Sequence, residues 1–365
     1  MRPLYVPLLA EVSLRIVVLG GGAQGSVIAS DLAKSLPQAR VEVADVRRPR
    51  LPVLENLSWR EADAGNATAA ARLISEYDLA VGALPSRFGF GVMQAAIEAK
   101  KPLVDVSFSA EDPMSLDADA RRAGIAIVPD CGLAPGISHL VVGHAVAEFG
   151  PPQELVIYVG GVAQDATRPY GYVVTWSVDD LLEEYTRPAR IVRDGKPAEV
   201  PVFSGMERLT IDGAGEMEAF FSDGLRTLIA NVPGVEQMAE KTLRWPGHVA
   251  AIQPLLASGT LVTEFRAKCV VEEPRDLVAF LVRMHWKDRA REVVMVDRYD
   301  PATRMTAMSR TTALTTSVTT QVAAAGGIRD TGVLPLERVG QDQAAYRAIR
   351  DGLSRRGVVL RDRDF

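Results

Sequence analysis

The sequence predicts an α/β protein in two parts: a Rossmann-type doubly wound parallel sheet, then an α+β domain built on a mixed sheet. Three observations carry this. A short apolar run over residues 15–19 ends in a turn holding Gly20, Gly22 and Gly25. Strand-like and helix-like patterns alternate from there to residue 128. From about residue 155 that rhythm changes to strands without regular helices between them.

The first strand, 16–19, is short, apolar and β-branched, as a strand covered on both faces must be. Helical spacing follows over 26–36. Gly20 permits a tight turn, Gly22 lets the backbone approach a pyrophosphate, and Gly25 lets the helix lie close to the strand. The start of that helix offers unpaired N–H groups and partial positive charge to phosphates. The second strand, 41–46, contains Asp45, twenty residues past Gly25, where a carboxylate holds adenosine ribose hydroxyls. Together these features predict a bound dinucleotide, with Gly20, Gly22, Ala23, Gln24 and Gly25 at its phosphates. Asp45 repels the extra phosphate of NADP and so favours NAD. Arg47 and Arg48, directly after it, keep NADP as the alternative.

The series continues with strands at 59–62, 79–83, 103–106 and 125–128 and helices at 68–76, 89–99 and 116–123. In such sheets function gathers at the carboxyl ends of the strands. This places Asp63, then Ala83, Leu84 and Pro85, then Val106 and Ser107 against the cofactor. Gly132 and Leu133 join them from the loop 129–136, whose glycines let the backbone reach the nicotinamide. A helix over 137–149 starts at that loop.

Strands are expected at 155–159, 172–177, 189–193, 207–211, 217–221, 263–271 and 292–298, and helices at 178–185 and 246–257. A helix rich in threonine and alanine over 309–325 is expected to pack back onto the first domain. The division is a nucleotide domain over 1–135 and 310–365, and a catalytic and dimerisation domain over 136–309.

With 365 residues and 47% hydrophobic content the chain buries a large core. A net charge of −5 and no long basic run argue against nucleic acid or anionic lipid as partners. No stretch approaches the roughly twenty apolar residues of a membrane span. Residues 1–14 are apolar but carry Arg2, Pro3, Pro7 and Glu11 and lack a clear cleavage site, so they do not read as a signal peptide. Cys131 and Cys269 match no metal or redox spacing and read as reduced thiols of a cytoplasmic protein. His139 and His144, five apart, do not share a helix face, and no metal is expected.

Several motifs taken together resemble the saccharopine dehydrogenase superfamily, and most closely its lysine 6-dehydrogenase branch. They are the glycine loop, Pro-Asp-Cys-Gly-Leu-Ala-Pro-Gly-Ile-Ser-His over 129–139 and Val-Gly-Gly over 159–161. Leu-Glu-Glu-Tyr-Thr-Arg-Pro-Ala over 182–189, Arg-Asp-Gly-Lys over 193–196 and Ser-Asp-Gly-Leu over 222–225 continue the set. Lys-Thr-Leu-Arg-Trp-Pro-Gly-His over 241–248 and Thr-Ala-Met-Ser-Arg-Thr-Thr over 306–312 complete it. The resemblance implies a nicotinamide-binding domain, a saccharopine-reductase-like catalytic domain with a mixed sheet, and a homodimer. It further implies NAD-dependent oxidative deamination of the ε-amino carbon of L-lysine or a close diamino acid, giving an aldehyde that cyclises to piperideine-6-carboxylate. Asp130-Cys131 stands where a small glycine-rich pair is expected, a departure from the pattern.

Such chemistry needs a neutral amine, a base or a desolvating site, and ligands for an α-carboxylate and an α-ammonium. Arg244, between a strand-like stretch and a Pro-Gly turn, is the candidate carboxylate clamp. His248 is the candidate for substrate contact or proton transfer. Asp223 is read as an ammonium ligand or a helix cap. Tyr172, with Tyr170, is expected to close over the substrate, and Thr227 to offer a hydroxyl. An alternative reading is a reductase that joins an amine to an oxo acid, which needs cations for extra carboxylates, with Arg208 and Arg226 as candidates. A non-catalytic sensor of the NAD/NADH ratio is a third reading, against which the polar set Asp223, Arg244 and His248 argues.

Overall fold

A computed structural model describes residues 13–365, so the segment 1–12, read above as no signal peptide, lies outside the described residues. The first domain runs β1 (Arg15–Leu19), α1 (Ala23–Ser35), β2 (Arg40–Asp45), β3 (Leu57–Glu61), α2 (Ala67–Ser75), β4 (Leu79–Gly82), α3 (Ser86–Ala99), β5 (Leu103–Asp105), α4 (Asp117–Ala123) and β6 (Ala126–Val128). Every pairing is parallel, in the order β3-β2-β1-β4-β5-β6, so the order reverses beside β1. Ile16 to Leu19 are fully buried because α1 and α10 (Ala307–Ala324) cover one face and α2 and α3 the other. In doubly wound sheets a cleft forms at the carboxyl ends of the strands where the order reverses, here beside β1.

A loop through residues 129–136 leads into α5 (Ile137–Phe149) and β7 (Glu154–Ala163). There follow α6 (Val178–Glu184), β8 (Ala189–Arg193), β9 (Lys196–Val200), β10 (Glu207–Ile211), β11 (Gly215–Ser222), α7 (Leu228–Asn231), β12 (Gln237–Arg244), α8 (His248–Ala257), α9 (Leu261–Lys268), β13 (Asp276–His285) and β14 (Ala290–Arg298). After α10 come β15 (Gly332–Val333), α11 (Leu336–Val339), α12 (Gln343–Ser354) and β16 (Arg361–Asp364). The second sheet is mixed, in the order β10-β11-β12-β7-β13-β14-β16, with β8 and β9 appended to β12. Only β12 and β7 pair in parallel within it.

Three expectations need correction. Residues 172–177 form no strand but a loop between a 3-10 turn and α6; Trp176 donates to Tyr172 Oη within it at 2.9 Å. Residues 263–271 are mostly the helix α9, not a strand. Leu261 and Phe265, four apart, bury one helical stripe against Ile252 of α8 and Tyr172, and that packing overrides the β-branched residues Val262 and Thr263. The segment 310–365 does not all join the nucleotide domain. β15 extends the parallel sheet at β6, but β16 pairs antiparallel with β14 of the second sheet. α10 packs on α1, where Ser317 Oγ donates to Asp31 at 2.6 Å, and Thr316 Oγ1 donates to the Cys131 carbonyl at 2.7 Å. No helix among the described residues is long and apolar enough to cross a membrane.

Candidate active site

A cavity of about 1030 Å³ opens between the two domains. Its nucleotide end is built from the carboxyl ends of the parallel strands. Gly20 takes a φ of +100°, which glycine adopts freely, and a Cβ there would meet the Ala83 carbonyl oxygen at 2.5 Å. Gly25 does not reach the cavity; a Cβ on it would collide with the Gly20 carbonyl, so it is the packing glycine of the turn. Gly22 faces open space and caps α1 without any side-chain hydrogen bond. The first turn of α1 therefore keeps its N–H groups for a ligand.

Asp45 closes β2 with both oxygens held, Oδ2 by Gly21 N–H at 2.7 Å and Oδ1 by Arg47 N–H at 2.8 Å. Arg47 also lines the cavity, whereas Arg48 lies over the Trp59 ring at 5.8 Å. Ala23, Gln24, Asp63, Ala83, Leu84, Pro85, Val106, Ser107, Gly132 and Leu133 all line the same cleft. Gln24 Oε1 is buried there without a partner, as a group awaiting a ligand donor would be. An uncapped helix start, a glycine facing open space and a carboxylate at the end of β2 fit a dinucleotide.

Beneath Ser107 the carboxyl of Asp105 is buried, accepts from the Ser107 hydroxyl and from its N–H at 2.7 Å, and leaves Oδ2 unpartnered. Burial first, and Asp130 nearby, push it up to about 7 against those two hydrogen bonds. Asp130 itself is paired with Arg226 at 2.9 Å, and Arg226 lies over the ring of Phe108 at 4.4 Å.

The substrate end is floored by Gly160 and Gly161, where a Cβ would collide with the Leu243 backbone or come within 2.8 Å of Met308. Arg244 lines it, 2% exposed, and is fixed by hydrogen bonds to three partners. Nε donates to Tyr185 Oη at 2.8 Å, Nη1 to the Leu243 carbonyl at 2.9 Å, and Nη2 to Glu184 at 3.2 Å. Burial opposes its charge, yet Tyr185 and Glu184 together keep it firmly protonated. Tyr172 lines the cavity with Arg244 5.4 Å above its ring, and its hydroxyl is pushed beyond reach of ionisation, mainly by burial. Asp223 lines the cavity too, but Arg190 takes both its oxygens at 2.8 and 2.9 Å, so it is not a free ammonium ligand.

Three candidates do not reach the cavity wall. His248 sits behind Tyr185, with Nε2 2.9 Å from Tyr185 Oη and Nδ1 2.7 Å from the Tyr170 carbonyl. Thr227 is buried at the start of α7, away from the cleft. Tyr170 turns its hydroxyl outward to Glu264 at 3.0 Å. Conversely, Glu184, Ser222, Glu240, Thr242 and Trp176 line the lobe and carried no assigned role in the sequence reading. Glu184 and Ser222 stand inside motifs quoted above. Glu240 gave a signal only as one member of an alternating polar set, Glu240, Thr242 and Arg244.

Residues 16–128 match the saccharopine dehydrogenase NADP binding domain, and residues 132–358 match the saccharopine dehydrogenase C-terminal domain. Fold and cleft thus define a protein with a nicotinamide-binding domain set against a second, mixed-sheet domain. The chain belongs to the saccharopine dehydrogenase family. It is 24% identical over 265 residues to the NADP-dependent, L-glutamate-forming saccharopine dehydrogenase of Saccharomyces cerevisiae, a match covering 67% of this chain and 58% of that protein. It is 25% identical over 175 residues to α-aminoadipic semialdehyde synthase of Arabidopsis thaliana, covering 46% of this chain and 15% of that protein. The match to each of these relatives spans less than two thirds of the relative's length. The apo structure of the L-glutamate-forming saccharopine dehydrogenase of S. cerevisiae shares the fold, with a TM-score of 0.76 at 18% identity over 97% of this chain and all of that one.

Proposed function

We propose that this chain catalyses NAD-dependent oxidative deamination of the ε-amino group of L-lysine or a close diamino acid, as in the lysine 6-dehydrogenase branch. The product is an aldehyde that cyclises to piperideine-6-carboxylate. One observation carries the reading: the charge balance of the substrate lobe. The carboxylates of Asp180, Glu183, Glu184 and Asp223 line it with Arg187 and Arg244, each of these arginines already paired with a carboxylate, while Arg47 and Arg87 line the cavity from the nucleotide domain. A lobe with surplus negative charge suits a substrate with more amino than carboxylate groups.

When bound, the nicotinamide supplies the hydride acceptor. Gly20, Gly22 and the first turn of α1 would hold the pyrophosphate, Asp45 the adenosine ribose, and Ser107, Gly132 and Leu133 the nicotinamide end. Arg244 keeps an N–H on Nη1 beyond its four bonds, and this serves the α-carboxylate. Tyr172 and Trp176 wall the lobe and exclude water around the aliphatic chain. The fixed carboxylate of Asp45 supports NAD, with Arg47, which directly follows the end of β2, the group that favours NADP.

The rival reading, a reductase that condenses an amine with an oxo acid, has weaker support. Arg208 is exposed on β10 and paired with Glu216 at 3.3 Å, and Arg226 is spent on Asp130; neither lines the cavity. The assay is NADH formation from L-lysine and NAD alone. Absorbance growth without any oxo acid supports the proposal, and dependence on an added oxo acid supports the rival.

A further inference from the structure

Two buried polar groups in the substrate lobe have no partner. Glu240 on β12 is 4% exposed and its Oε2 meets no donor; the hydroxyl of Ser222 on β11, 2% exposed, meets none either. The antiparallel register sets these two residues directly opposite each other, so both side chains stand on one face of the sheet. Both line the cavity. The neighbouring carboxylates are satisfied, Glu184 by Thr242 at 2.6 Å and by Arg244, Asp223 by Arg190. A Cβ at Gly224 would collide with Glu240 Oε1, so glycine there is what leaves the carboxyl its room. A buried carboxyl and hydroxyl left unpaired side by side in a cavity mark a place where a ligand supplies the donors.

We propose that Glu240 and Ser222 form the ammonium subsite of the enzyme, and that Glu240 is the proton acceptor for the reacting amine. This deepens the reading above and rests on it. The subsite shares its cavity with Ser107, and a relay of contacts joins the two regions: Phe108, next to Ser107, lies 5.5 Å below the guanidinium of Arg187, which is 3.8 Å from Asp223, the neighbour of Gly224. In the transfer an N–H bond of the ammonium breaks and an O–H bond forms on Glu240 Oε2. The electron pair stays on nitrogen, and nothing is oxidised or reduced. The neutral amine then has the lone pair that assists loss of hydride from the adjacent carbon.

The groups facing Glu240 tune it for this. From α6 comes Glu184, from the loop after β11 come Asp223 and Gly224, from β11 Ser222, and the partner on β7 is apolar Ile157. The lobe's two arginines, Arg187 and Arg244, are held by Glu183 and Glu184. Burial, then the like charges of Glu184 and Asp223, push Glu240 up to about 8, close to the working range of a biological base.

The test is calorimetry of L-lysine binding without nucleotide, where no turnover occurs, between pH 6 and 8.5 in buffers of different ionisation enthalpy. Binding at pH 7 is expected to release close to one proton, because Glu240 gives up its own proton to meet the ammonium. Affinity should rise about tenfold per pH unit until about pH 8. The isosteric Glu240→Gln should abolish both effects and, with NAD present, lower kcat by about 10²–10⁴-fold. Ser222→Ala should weaken binding while keeping the pH slope. If the wild type binds and oxidises L-lysine but Glu240→Gln retains proton release and slope, the assignment of Glu240 is overturned and the amine dehydrogenase reading stands. If the wild type neither binds nor oxidises L-lysine or another diamino acid, both fall.

Discussion

The hydroxyl of Tyr185 donates to Nε2 of His248 across 2.9 Å. The direction follows from the other ring nitrogen: Nδ1 lies 2.7 Å from the Tyr170 carbonyl, which only accepts, so the proton is on Nδ1 and Nε2 is the acceptor. The Tyr185 oxygen in turn accepts from Arg244 Nε. On the proposed function His248 reaches the substrate only through Tyr185 and Arg244, which makes it a positioning residue.

His248→Leu leaves the Tyr185 hydroxyl without an acceptor and the Tyr170 carbonyl without a donor. A loss of about 1–3 kcal/mol of stability is expected. KM for L-lysine should rise while kcat changes little, since the guanidinium loses its anchor but no reacting group is removed. Steady-state kinetics and chemical denaturation check both.

His248 also has a pH signature. Burial first, then Arg244, hold it down to about 3 from an ordinary value of 6.5, against the Tyr170 carbonyl. Its folded value lies below its unfolded one, so its contribution to stability is complete above about pH 6.5 and is lost as pH falls from there toward 3. The loss of stability between pH 6.5 and 4 should be shallower in His248→Leu than in wild type. A steeper loss in the variant would contradict this.

Glu240 works in the opposite sense. Its folded value is raised above the ordinary 4.5, so its contribution is present below about pH 4.5 and is lost as pH rises through about 8. Glu240→Gln, which carries no charge to bury, should gain about 4 kcal/mol relative to wild type on going from pH 5 to pH 9. Urea denaturation at the two pH values measures the difference.

The two glycines of the nucleotide turn separate folding from binding. Gly22→Ala puts a methyl into open space at a φ of −68° that any residue adopts, so its Tm should stay within about 2 °C of wild type. The dissociation constant for NADH should nonetheless rise, because that space is the proposed pyrophosphate seat. Gly25→Ala drives a methyl into the Gly20 carbonyl and should destabilise the fold itself. Fluorescence titration beside a melting curve tells the two apart.

Asp45→Ala removes the carboxylate at the end of β2. The ratio of kcat/KM for NAD over NADP is expected to fall by about tenfold or more, with Arg47 left to meet a 2′-phosphate. An unchanged ratio would remove Asp45 from cofactor choice.

The nucleotide domain was legible because its signals are local: a β-branched run, glycines at fixed spacing and helices of ordinary length. The lining positions from Gly20 to Leu133 follow from one topological rule about strand ends. The substrate lobe obeys no such rule. In β12 Glu240, Thr242 and Arg244 share one face while Ala239, Lys241 and Leu243 share the other, and with a lysine breaking the apolar side nothing in the pattern says which face meets solvent and which a closed cavity. His248 gave the reverse error, since a histidine after a Pro-Gly turn carries no mark of the Tyr185 that screens it. β13 went unread although Leu277 to Val282 is an unbroken apolar run, the mark of a strand covered on both faces. α9 was misread because packing of Leu261 and Phe265, not propensity, decides its form.

The return of β16 to β14, after β15 has joined the parallel sheet, stitches the two halves of the molecule like a lace drawn through eyelets on both sides. The backbone passes from one half to the other before β7, again on the way to β15 and again at β16. Each half takes strands from two separate stretches of the chain and the two share the packing of α10, so heat should undo both in one calorimetric peak. Any widening of the cleft for substrate must then come from tilting of intact bodies.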